Sequence, residues 1–439
     1  MKNPLRSLPQ AERYIMYGLC IGVLVVVVGI GIALWPERVY YPKDWVAQGA
    51  ALEWFQKPAA IRIQGQNDRT YVSWLARDGK VMIRARDMKT GIWGTPVQVA
   101  NLEERYGNNG HDDHNAPSLV ALPDNRILLF SPVHDFSNAL SVYTTTRPED
   151  ISSWTSPRQV IKGVFAEWNY PQPKLLANGD IVLFLRQGNW KNATEVMTIS
   201  HDQGVTWSSP RVLIDPGPGT GTYAFATSHG NKLYLTWNTR LSSGRPSGLF
   251  YAQSSNGGAT WTTSAGKELP MPLSEKHSEQ ILPSDQSVYG WDIVLDTELQ
   301  PRIAMMRKTS PPEYAVAIRQ KNVWKVETLT STRELYSGRS NSDYYSAGIV
   351  FDPQHPDEVV LSAAKEQFTL ERWRRSAEGE WENVRTIDPP LHGHQFRPQF
   401  ISNDPLSGLI WLEGEYTGSS SGEWEGYERA FLRYSLSTH

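Results

Sequence analysis

The sequence predicts an all-β fold in which seven four-stranded units follow one N-terminal transmembrane helix. Three observations support this prediction. A turn motif occurs twice, as "SHDQGVTW" at residues 200–207 and "SSNGGATW" at residues 254–261. A pattern of short alternating strands and Gly/Asn/Asp turns recurs seven times along the chain. A single long apolar run precedes all seven units.

The apolar run extends from Ile15 to Trp35, which is 21 residues without a charge. A helix of this length crosses the ~30 Å hydrocarbon core of a bilayer. A cleaved signal peptide is the alternative, but the apolar region of a signal peptide is shorter and ends in small residues, whereas this run ends in "LWPER". We therefore expect an uncleaved transmembrane anchor over residues 15–35.

The charges beside the run predict its orientation. Lys2, Arg6 and Arg13 precede it, against the single acid Glu12. The positive-inside rule then places residues 1–14 in the cytoplasm and the part after the anchor on the periplasmic side of a bacterial inner membrane. Residues 36–58 are predicted to be a linker. Since the single cysteine, Cys20, lies inside the anchor, the exported part has no disulfide and no cysteine-ligated metal.

The repeated turn motif fits S-x-(D/N)-x-G-x-T-W, and its two copies are 54 residues apart. In such a turn the Asp or Asn side chain accepts backbone N–H groups, while the glycine adopts a positive φ. The motif resembles the Asp box of sialidase-type β-propellers. Asp202 and Asn256 are therefore predicted to be turn residues and not catalytic residues.

The spacing of the motif predicts the number of units. The 381 residues after position 58 correspond to seven units of 54 residues. A closed ring of four-stranded blades buries the strand edges between neighbours, which explains how a long all-β chain forms one body. Residues 59–439 are therefore predicted to form a seven-bladed β-propeller, with "AAIRI" at residues 59–63 as the strand that closes the ring.

Chemically versatile residues recur at the same ends of three successive blades. The stretch "NNGHDDHNAPSL" precedes the first strand of the second unit, and His134 follows the next strand, twenty residues after His114. The matching positions of the third unit hold Tyr170 and Arg186, and those of the fourth hold Tyr223 and Arg240. Side chains at equivalent blade ends can meet at the propeller axis. Taken alone, the stretch is open to three interpretations: a metal site, an acid/base cluster or a polar turn.

The series as a whole resembles the BNR-repeat polysaccharide lyases of the ulvan lyase type. The resemblance rests on "GHDDHNAPSL", the histidine twenty residues later, the spacing of sixteen from "YPQP" to its arginine, and the tyrosine of "TYAF". It implies β-elimination at a uronate of an acidic polysaccharide, with no cofactor and no catalytic metal. It assigns five catalytic positions: His114, Tyr170, His134, Arg186 and Tyr223. The cysteine- and histidine-ligated zinc site of some such lyases cannot form here.

Further residues near the blade ends are predicted to bind substrate: His111, Asn115, Arg240, His394 and Arg397. Asp112 and Asp113 are expected to be turn acceptors or supports, because an ordinary Asp ionises near pH 4 and is a weak base.

The five catalytic candidates have residue types that suit the implied reaction. Arg186 is expected to bind the uronate carboxylate in bidentate fashion and to stabilise the developing charge. His114 and Tyr170 are assigned as the base/acid pair, with the order of the two left open, because a neutral imidazole accepts a proton at ambient pH and a phenol needs neighbouring cations to do so. His134 is expected to orient or neutralise the substrate, and Tyr223 to assist binding or proton transfer.

The predicted function is a membrane-anchored polysaccharide lyase that takes part in exopolysaccharide processing. Its expected partners are an acidic polysaccharide, the lipid bilayer and exopolysaccharide export machinery, while a net charge of −3 argues against nucleic acid. One alternative is a sialidase-like glycoside hydrolase, although the stretch "IRIQG" at residues 61–65 lacks the proline of the corresponding sialidase signature. The other is a glycan-binding propeller without catalytic activity, since fold alone does not determine function.

Overall fold

A computed structural model describes residues 45–436, apart from residues 54, 135, 137–139, 162–165, 190–191, 334–346, 365 and 415–429. The predicted cytoplasmic segment and the anchor at residues 15–35 lie outside this range, so both remain predictions. Within the range, no helix is long and apolar enough to cross a membrane.

The described residues form thirty strands in seven antiparallel sheets. Two short strands come first: β1 (Trp45–Gln48) and β2 (Ala50–Ala51). Blade 1 contains β3 (Ala60–Gln64), β4 (Asp68–Ala76), β5 (Lys80–Asp87) and β6 (Val97–Asn101). Blade 2 contains β7 (Ser118–Ala121), β8 (Ile127–Ser131), β9 (Ser141–Arg147), β10 (Asp150–Trp154) and β11 (Arg158–Gln159).

Blades 3 to 5 follow without interruption by other elements. Blade 3 contains β12 (Trp168–Leu175), β13 (Ile181–Gln187), β14 (Thr194–Ser200) and β15 (Arg211–Ile214). Blade 4 contains β16 (Gly221–His229), β17 (Lys232–Arg240), β18 (Pro246–Ser254) and β19 (Glu279–Leu282). Blade 5 contains β20 (Val288–Leu295), β21 (Pro301–Arg307), β22 (Glu313–Gln320) and β23 (Val323–Ser331).

Two blades complete the ring. Blade 6 contains β24 (Ile349–Asp352), β25 (His355–Ala364), β26 (Phe368–Arg375) and β27 (Trp381–Thr386). Blade 7 contains β28 (His394–Phe400), β29 (Leu409–Gly414) and β30 (Phe431–Ser435). The described helices are short and connect blades 1 and 2: α1 (Leu102–Tyr106) and two 3-10 helices (Gly107–His111 and Asp113–Asn115). The all-β prediction and the seven blades are confirmed.

The first strand of each blade lies at the propeller axis. Contacts join β3 to β7, β7 to β12, β12 to β16, β16 to β20, β20 to β24 and β24 to β28. The parallel bridge between Ile61 and Ser402 brings β3 beside the end of β28 and completes this inner ring. Because the inner strands run in the same direction, their N-terminal ends converge at one end of the axis. Residues from successive blades therefore meet there.

The ring is closed by β1 and not by the stretch predicted for that role. The strand β1 pairs antiparallel with β30, so that Gln48 lies opposite Phe431 and blade 7 gains its fourth strand. The predicted closing stretch, "AAIRI", instead forms the inner strand of blade 1. Residues 45–51, predicted as linker, are thus part of the propeller. Without β1, the edge of β30 would present unpaired backbone groups to solvent.

The two copies of the turn motif have the predicted structural role. The Oδ1 atom of Asp202 accepts the backbone N–H of Thr206 at 2.8 Å, and Oδ1 of Asn256 accepts that of Thr260 at 3.0 Å. The glycine of the second motif, Gly258, has φ of 90°. This backbone conformation favours glycine, and a Cβ atom there would lie 2.7 Å from the flexible end of the Met197 side chain, which would have to shift.

Candidate active site

The five residues predicted as catalytic form one cluster at the axis. The rings of His114 and His134 stack with centroids 4.5 Å apart, and the ring of Tyr170 lies 5.9 Å from the first and 6.1 Å from the second. The guanidinium of Arg186 covers the Tyr170 ring at 4.3 Å and the Tyr223 ring at 5.3 Å. Its Nη2 atom lies 3.3 Å from Nε2 of His134. The five positions that the family resemblance implied therefore lie together, while the roles of these residues remain untested.

A bulge in β12 holds Tyr170 at the cluster. Tyr170 has φ of 56°, and the register with β13 shifts between Asn169 and Gln172. The Gln172 side chain fixes the bulge to the next blade, because its Nε2 donates to the carbonyl of Ala224 at 2.7 Å and its Oε1 accepts the N–H of Ala226 at 3.2 Å. Such a conformation costs about 1–3 kcal/mol in a residue other than glycine, and it is found preferentially at functional sites.

The same bulge recurs in β28 around Arg397, whose φ is 54°. Here Gln399 makes the matching contacts: its Nε2 donates to the carbonyl of Glu53 at 2.9 Å and its Oε1 accepts the N–H of Ala59 at 3.3 Å. The two bulges share the sequence X-Pro-Gln, "YPQ" at residues 170–172 and "RPQ" at residues 397–399. This repeated tripeptide is a signal in the sequence from which the paired bulges could have been predicted.

The carboxylate of Asp112 bridges the two histidines. Its Oδ1 lies 2.6 Å from Nδ1 of His114, and its Oδ2 lies 2.9 Å from Nδ1 of His134. A second carboxylate, that of Asp113, lies 3.0 Å from the same Nδ1 of His114. The two aspartates therefore act as the predicted supports, and they hold the histidine rings parallel.

Behind Asp113, a buried ion network joins this loop to blade 7. Nη1 of Arg397 donates to Asp113 at 2.9 Å and to the carbonyl of Leu52 at 2.5 Å, and it lies 3.3 Å from the carboxylate of Glu53. Arg397 was predicted to bind substrate, but its side chain is only 5% exposed. The guanidinium is enclosed by these acids, so it is placed to position Asp113.

The histidine pair shares one positive charge. Burial lowers the pKa of His114. An ionised Tyr170 would raise it, and the carboxylates of Asp112 and Asp113 raise it as well, so that this pKa is well above its usual value. The pKa of His134 is lowered by burial and by the neighbouring cations His114 and Arg186. Two stacked imidazolium ions would repel each other, and His114 contacts two carboxylates where His134 contacts one. At neutral pH His114 is therefore the charged imidazolium, and His134 is the neutral imidazole.

The phenol of Tyr170 is also neutral at ambient pH. Burial raises its pKa well above the usual value, although Arg186 and His114 act in the opposite direction. A neutral Tyr170 has no charge to offer to His114, so the two aspartates are the groups that keep His114 protonated. The cluster thus combines a neutral imidazole, a protonated phenol and two cations.

The axial segment, which we define as residues 52, 53 and 55–58, supplies contacts that the sequence did not predict. Phe55 stacks on Tyr223 with centroids 4.3 Å apart and lies 4.9 Å from Tyr170. The side-chain amide of Gln56 donates to the backbone carbonyl of His114. The segment was predicted to be linker because it carries neither a strand pattern nor a motif. Its contacts reach blades that are remote in sequence, and local patterns do not reveal such contacts.

Two further buried residues near the cluster were also not predicted. Asn169 and Glu195 lie on the strands to either side of β13, and each is in register with Arg186. Burial raises the pKa of Glu195 to about 8, with Arg186 acting in the opposite direction. The amide of Asn169 makes no hydrogen bond to another residue in the described part of the chain.

The remaining predicted substrate-binding residues have varied surroundings. Asn115 is fully buried and braces the loop, donating to the carbonyl of Asn109 at 2.7 Å and accepting the N–H of His134 at 2.6 Å. His111 is about one-third exposed and lies 3.6 Å from Glu103. The Nδ1 atom of His394 accepts the backbone N–H of Phe368. Arg240 is the last residue of β17 and lies opposite Gly221.

Among the described residues, two groups of side chains have ligand atoms close enough together to hold a cation: Asp112, His114 and His134, and Glu53, Asp113 and His114. Both histidines direct Nδ1 at Asp112, so an ion between them would have to replace those contacts. The imidazolium of His114 must lose a proton before it can bind a metal. Our prediction of a site without a catalytic metal remains a prediction.

Comparisons with known proteins identify the fold and the family. A family model described as "BNR repeat-containing family member" matches residues 69–332. An ulvan lyase of polysaccharide lyase family PL25 superposes with a TM-score of 0.68 at 18% sequence identity, over 90% of this chain and 95% of that chain. An ulvan lyase bound to -[GlcA(1-4)Rha3S]- gives a TM-score of 0.67 at 18% identity, over 90% and 94% of the chains.

A third structure, described as polysaccharide lyase Uly1, gives a TM-score of 0.61 at 14% identity, over 91% of this chain and 93% of that chain. No curated protein sequence matches the chain. At these identities the solved structures show a common fold, and the family model covers more than half of the chain. The chain belongs to the BNR repeat-containing family and shares its seven-bladed β-propeller with the ulvan lyases.

Proposed function

We propose that this protein is a polysaccharide lyase that cleaves a uronate-containing polysaccharide by β-elimination. The observation that carries the proposal is the His114–His134 pair, in which one ring is neutral and the other charged, beside Tyr170 and Arg186. A site of this composition offers a base, an acid and two cations within one cluster. Fold likeness to solved polysaccharide lyases supports the proposal.

The reaction requires four actions. A base removes the proton α to the uronate carboxylate, and cations stabilise the negative charge that spreads onto the carboxylate. The electron pair then forms the ring double bond as the glycosidic C–O bond breaks, and an acid protonates the departing oxygen. Stabilisation of the developing charge by fixed cations is commonly the largest contribution in such a step.

In this proposal His134 is the base. Its Nε2 atom faces a guanidinium, which can only donate, so this nitrogen carries the lone pair of the neutral ring. When Arg186 moves to the substrate carboxylate, Nε2 becomes available for the proton. The prediction from sequence instead paired His114 with Tyr170 for proton transfer. Because His114 is an imidazolium and an imidazolium cannot accept a proton, we assign the base in this pair to His134 in place of His114.

Tyr170 is the proposed acid, and His114 and Arg186 are the cations. The Tyr170 hydroxyl makes no hydrogen bond to another residue in the part of the chain that is described, which leaves it free to meet a leaving oxygen. The two histidines keep 19% and 15% of their side-chain surface exposed, so the cluster is open to a ligand on their side. Tyr223 packs behind Tyr170 at 6.0 Å and supports its ring.

We also propose that residues 15–35 anchor the enzyme in a bacterial inner membrane, with the propeller on the periplasmic side. The uncharged 21-residue run and the excess of basic residues before it support this orientation. An enzyme in that place is suited to an acidic exopolysaccharide during export, so the export machinery is its proposed partner. Protease protection in spheroplasts tests the orientation: external protease should remove the propeller and leave the N-terminus intact.

Product analysis tests the proposed reaction. The purified protein is incubated with a panel of uronate-containing polysaccharides, and ultraviolet absorbance and new reducing ends are both measured. A lyase generates an unsaturated uronide that absorbs in the ultraviolet together with each new reducing end. New reducing ends without absorbance would identify a hydrolase, and binding without either product would identify a glycan-binding propeller.

A further inference from the structure

We propose that the axial channel holds a second binding site, for a small free oxyanion, formed by Lys57 and Lys174. It lies deeper along the axis than the His114 cluster and uses none of the residues assigned to β-elimination. The inference therefore stands apart from the proposed lyase function.

The site is a cavity of about 160 Å³ between the inner strands of blades 3 to 7. This is larger than the space that one ordered water needs. Lys174 follows Tyr170 by four residues in β12, which is at most about 13 Å along the strand because the bulge shortens the regular rise. Asp292 of blade 5 and the hydroxyls of Thr227 and Ser402 also line the cavity.

Aromatic side chains separate this cavity from the catalytic cluster. Phe55 lies between them and packs on Phe225, with centroids 5.8 Å apart. The Phe225 ring in turn lines the cavity and lies 5.4 Å from Nζ of Lys57. A polysaccharide held at the histidines would not reach past these rings. The proposed ligand is therefore a free anion such as sulfate, phosphate or a small carboxylate.

The charges around the cavity favour an anion. Nζ of Lys57 donates to the carbonyl of Trp291 at 2.8 Å and to Oδ1 of Asp292 at 3.2 Å. The other oxygen of Asp292 accepts the N–H of Phe351 at 3.0 Å, so this carboxylate is already paired on both sides. Lys174 makes no hydrogen bond or ion pair with any residue among those described. Two ammonium groups thus face one carboxylate.

Lys174 therefore has three unused donors on a half-buried ammonium group. Burial and the charge of Lys57 lower its pKa to about 8, with Asp292 acting in the opposite direction. The group remains mainly charged at neutral pH. An oxyanion beside it would accept its donors and offset the repulsion between the two lysines. The hydroxyls of Thr227 and Ser402 would supply further donors.

Lysine labelling of the wild-type, full-length protein tests the proposal. The protein is treated briefly with acetic anhydride at constant ionic strength in chloride, sulfate, phosphate or acetate, and acetylation at each lysine is read by mass spectrometry. At an anion concentration about ten times Kd, mass action predicts about tenfold slower labelling of Lys174. The exposed Lys89 should be labelled at the same rate in every salt.

Repeating the labelling with a sulfated or a uronate oligosaccharide distinguishes a free anion from an anionic sugar. Two lysine variants then locate the site. Protection of Lys174 by inorganic oxyanions supports the proposal, whereas equal labelling in all salts, or protection by a sulfated or uronate oligosaccharide alone, would overturn it. In a calorimetric titration with sulfate, the heat of binding at this cavity should be absent in Lys174→Met and present in Lys89→Met. Unchanged sulfate binding in a folded Lys174→Met protein would also overturn it.

Discussion

The imidazole rings of His114 and His134 are stacked 4.5 Å apart, and both direct Nδ1 at one carboxylate, that of Asp112. This arrangement makes the two rings unequal. Only one of them is a charged imidazolium at neutral pH, and the extra contact with Asp113 assigns that charge to His114. Acid and base functions in enzymes commonly arise in this way, from two similar groups whose surroundings move their pKa values apart.

The first prediction concerns the pH dependence of activity. The rate should fall on the acid side as a second proton enters the pair and occupies His134, whose pKa is lowered from 6.5. It should fall on the alkaline side when His114, whose pKa is raised well above 6.5, loses its charge. The measurement is kcat/KM against pH. In His114→Gln the alkaline limb assigned to this residue should disappear, and an unchanged limb would contradict the assignment.

The second prediction concerns the proton donor. Tyr170→Phe removes the hydroxyl but keeps the ring against Phe55 and Arg186, so kcat should fall by about 10²–10⁴ with little change in KM. Steady-state kinetics on a uronate polysaccharide measures both constants. Tyr434→Phe is the matched control, because it deletes another largely buried phenol that lies in the last strand, away from the cluster. A comparable loss in both variants would point to a general effect of phenol removal.

The third prediction concerns stability. Arg397→Met leaves the buried carboxylates of Asp113 and Glu53 without their cation, which should cost about 3–5 kcal/mol of unfolding free energy. Chemical denaturation measures this loss. Lys80→Met, which removes one partner of the exposed ion pair with Asp78, should leave stability unchanged. If Arg397→Met kept full stability but lost substrate affinity, Arg397 would be a substrate-binding residue after all.

The fourth prediction concerns the pH dependence of that stability. The pKa of Asp112 is lowered in the folded protein because the two histidines outweigh its burial, so its contribution is present above pH ~4 and is lost as the pH falls below that value. The raised pKa of His114 acts in the opposite sense: its contribution is complete below pH ~6.5 and is lost as the pH rises through the folded pKa.

These two groups together should stabilise the fold most between these two limits, whereas His134, whose pKa is lowered, loses its contribution as the pH falls below ~6.5. Denaturation of the wild type and of His114→Gln at several pH values measures this dependence. The difference in unfolding free energy between the two proteins should shrink as the solution becomes alkaline. A difference that grows with pH would contradict the charge assigned to His114.

The fifth prediction concerns metals. Activity should survive exhaustive dialysis against a chelator, since the proposed steps use a base, an acid and two cations from the chain itself. Elemental measurement of the dialysed protein serves as the control for metal content. Loss of activity that added zinc restores would instead assign a catalytic ion to Asp112, His114 and His134, whose ligand atoms are close enough to hold one.

Much of this site is predictable from the sequence because a propeller repeats. Once the blade length is known, His134 and Arg186 are recognised as equivalents at matching blade ends, whereas the choice of the five clustered residues, without Arg240, came from the resemblance to the ulvan-type lyases. The turn role of Asp202 is predictable for the same reason. Local conformation and spacing carry this information, and both are visible in a single chain.

The remainder depends on contacts that no local pattern encodes. Phe55 and Gln56 lie in a stretch without strand periodicity, yet they meet residues of blades 2, 3 and 4 at the axis. Closure of the ring by β1 was not predicted, because a strand of four residues is recognised only from its pairing with β30. Arg397 was predicted to bind substrate because it lies near the inner strand of the last unit, and the acid that its side chain contacts belongs to the protein itself.

The His114–His134 cluster is proposed to break a glycosidic bond by elimination and not by hydrolysis. Weighing the products by mass spectrometry separates the two reactions. Elimination yields an unsaturated uronide one water lighter than the corresponding hydrolysis product, and His134→Ala should yield no such product. Saturated products that carry one added water, without the unsaturated uronide, would contradict elimination.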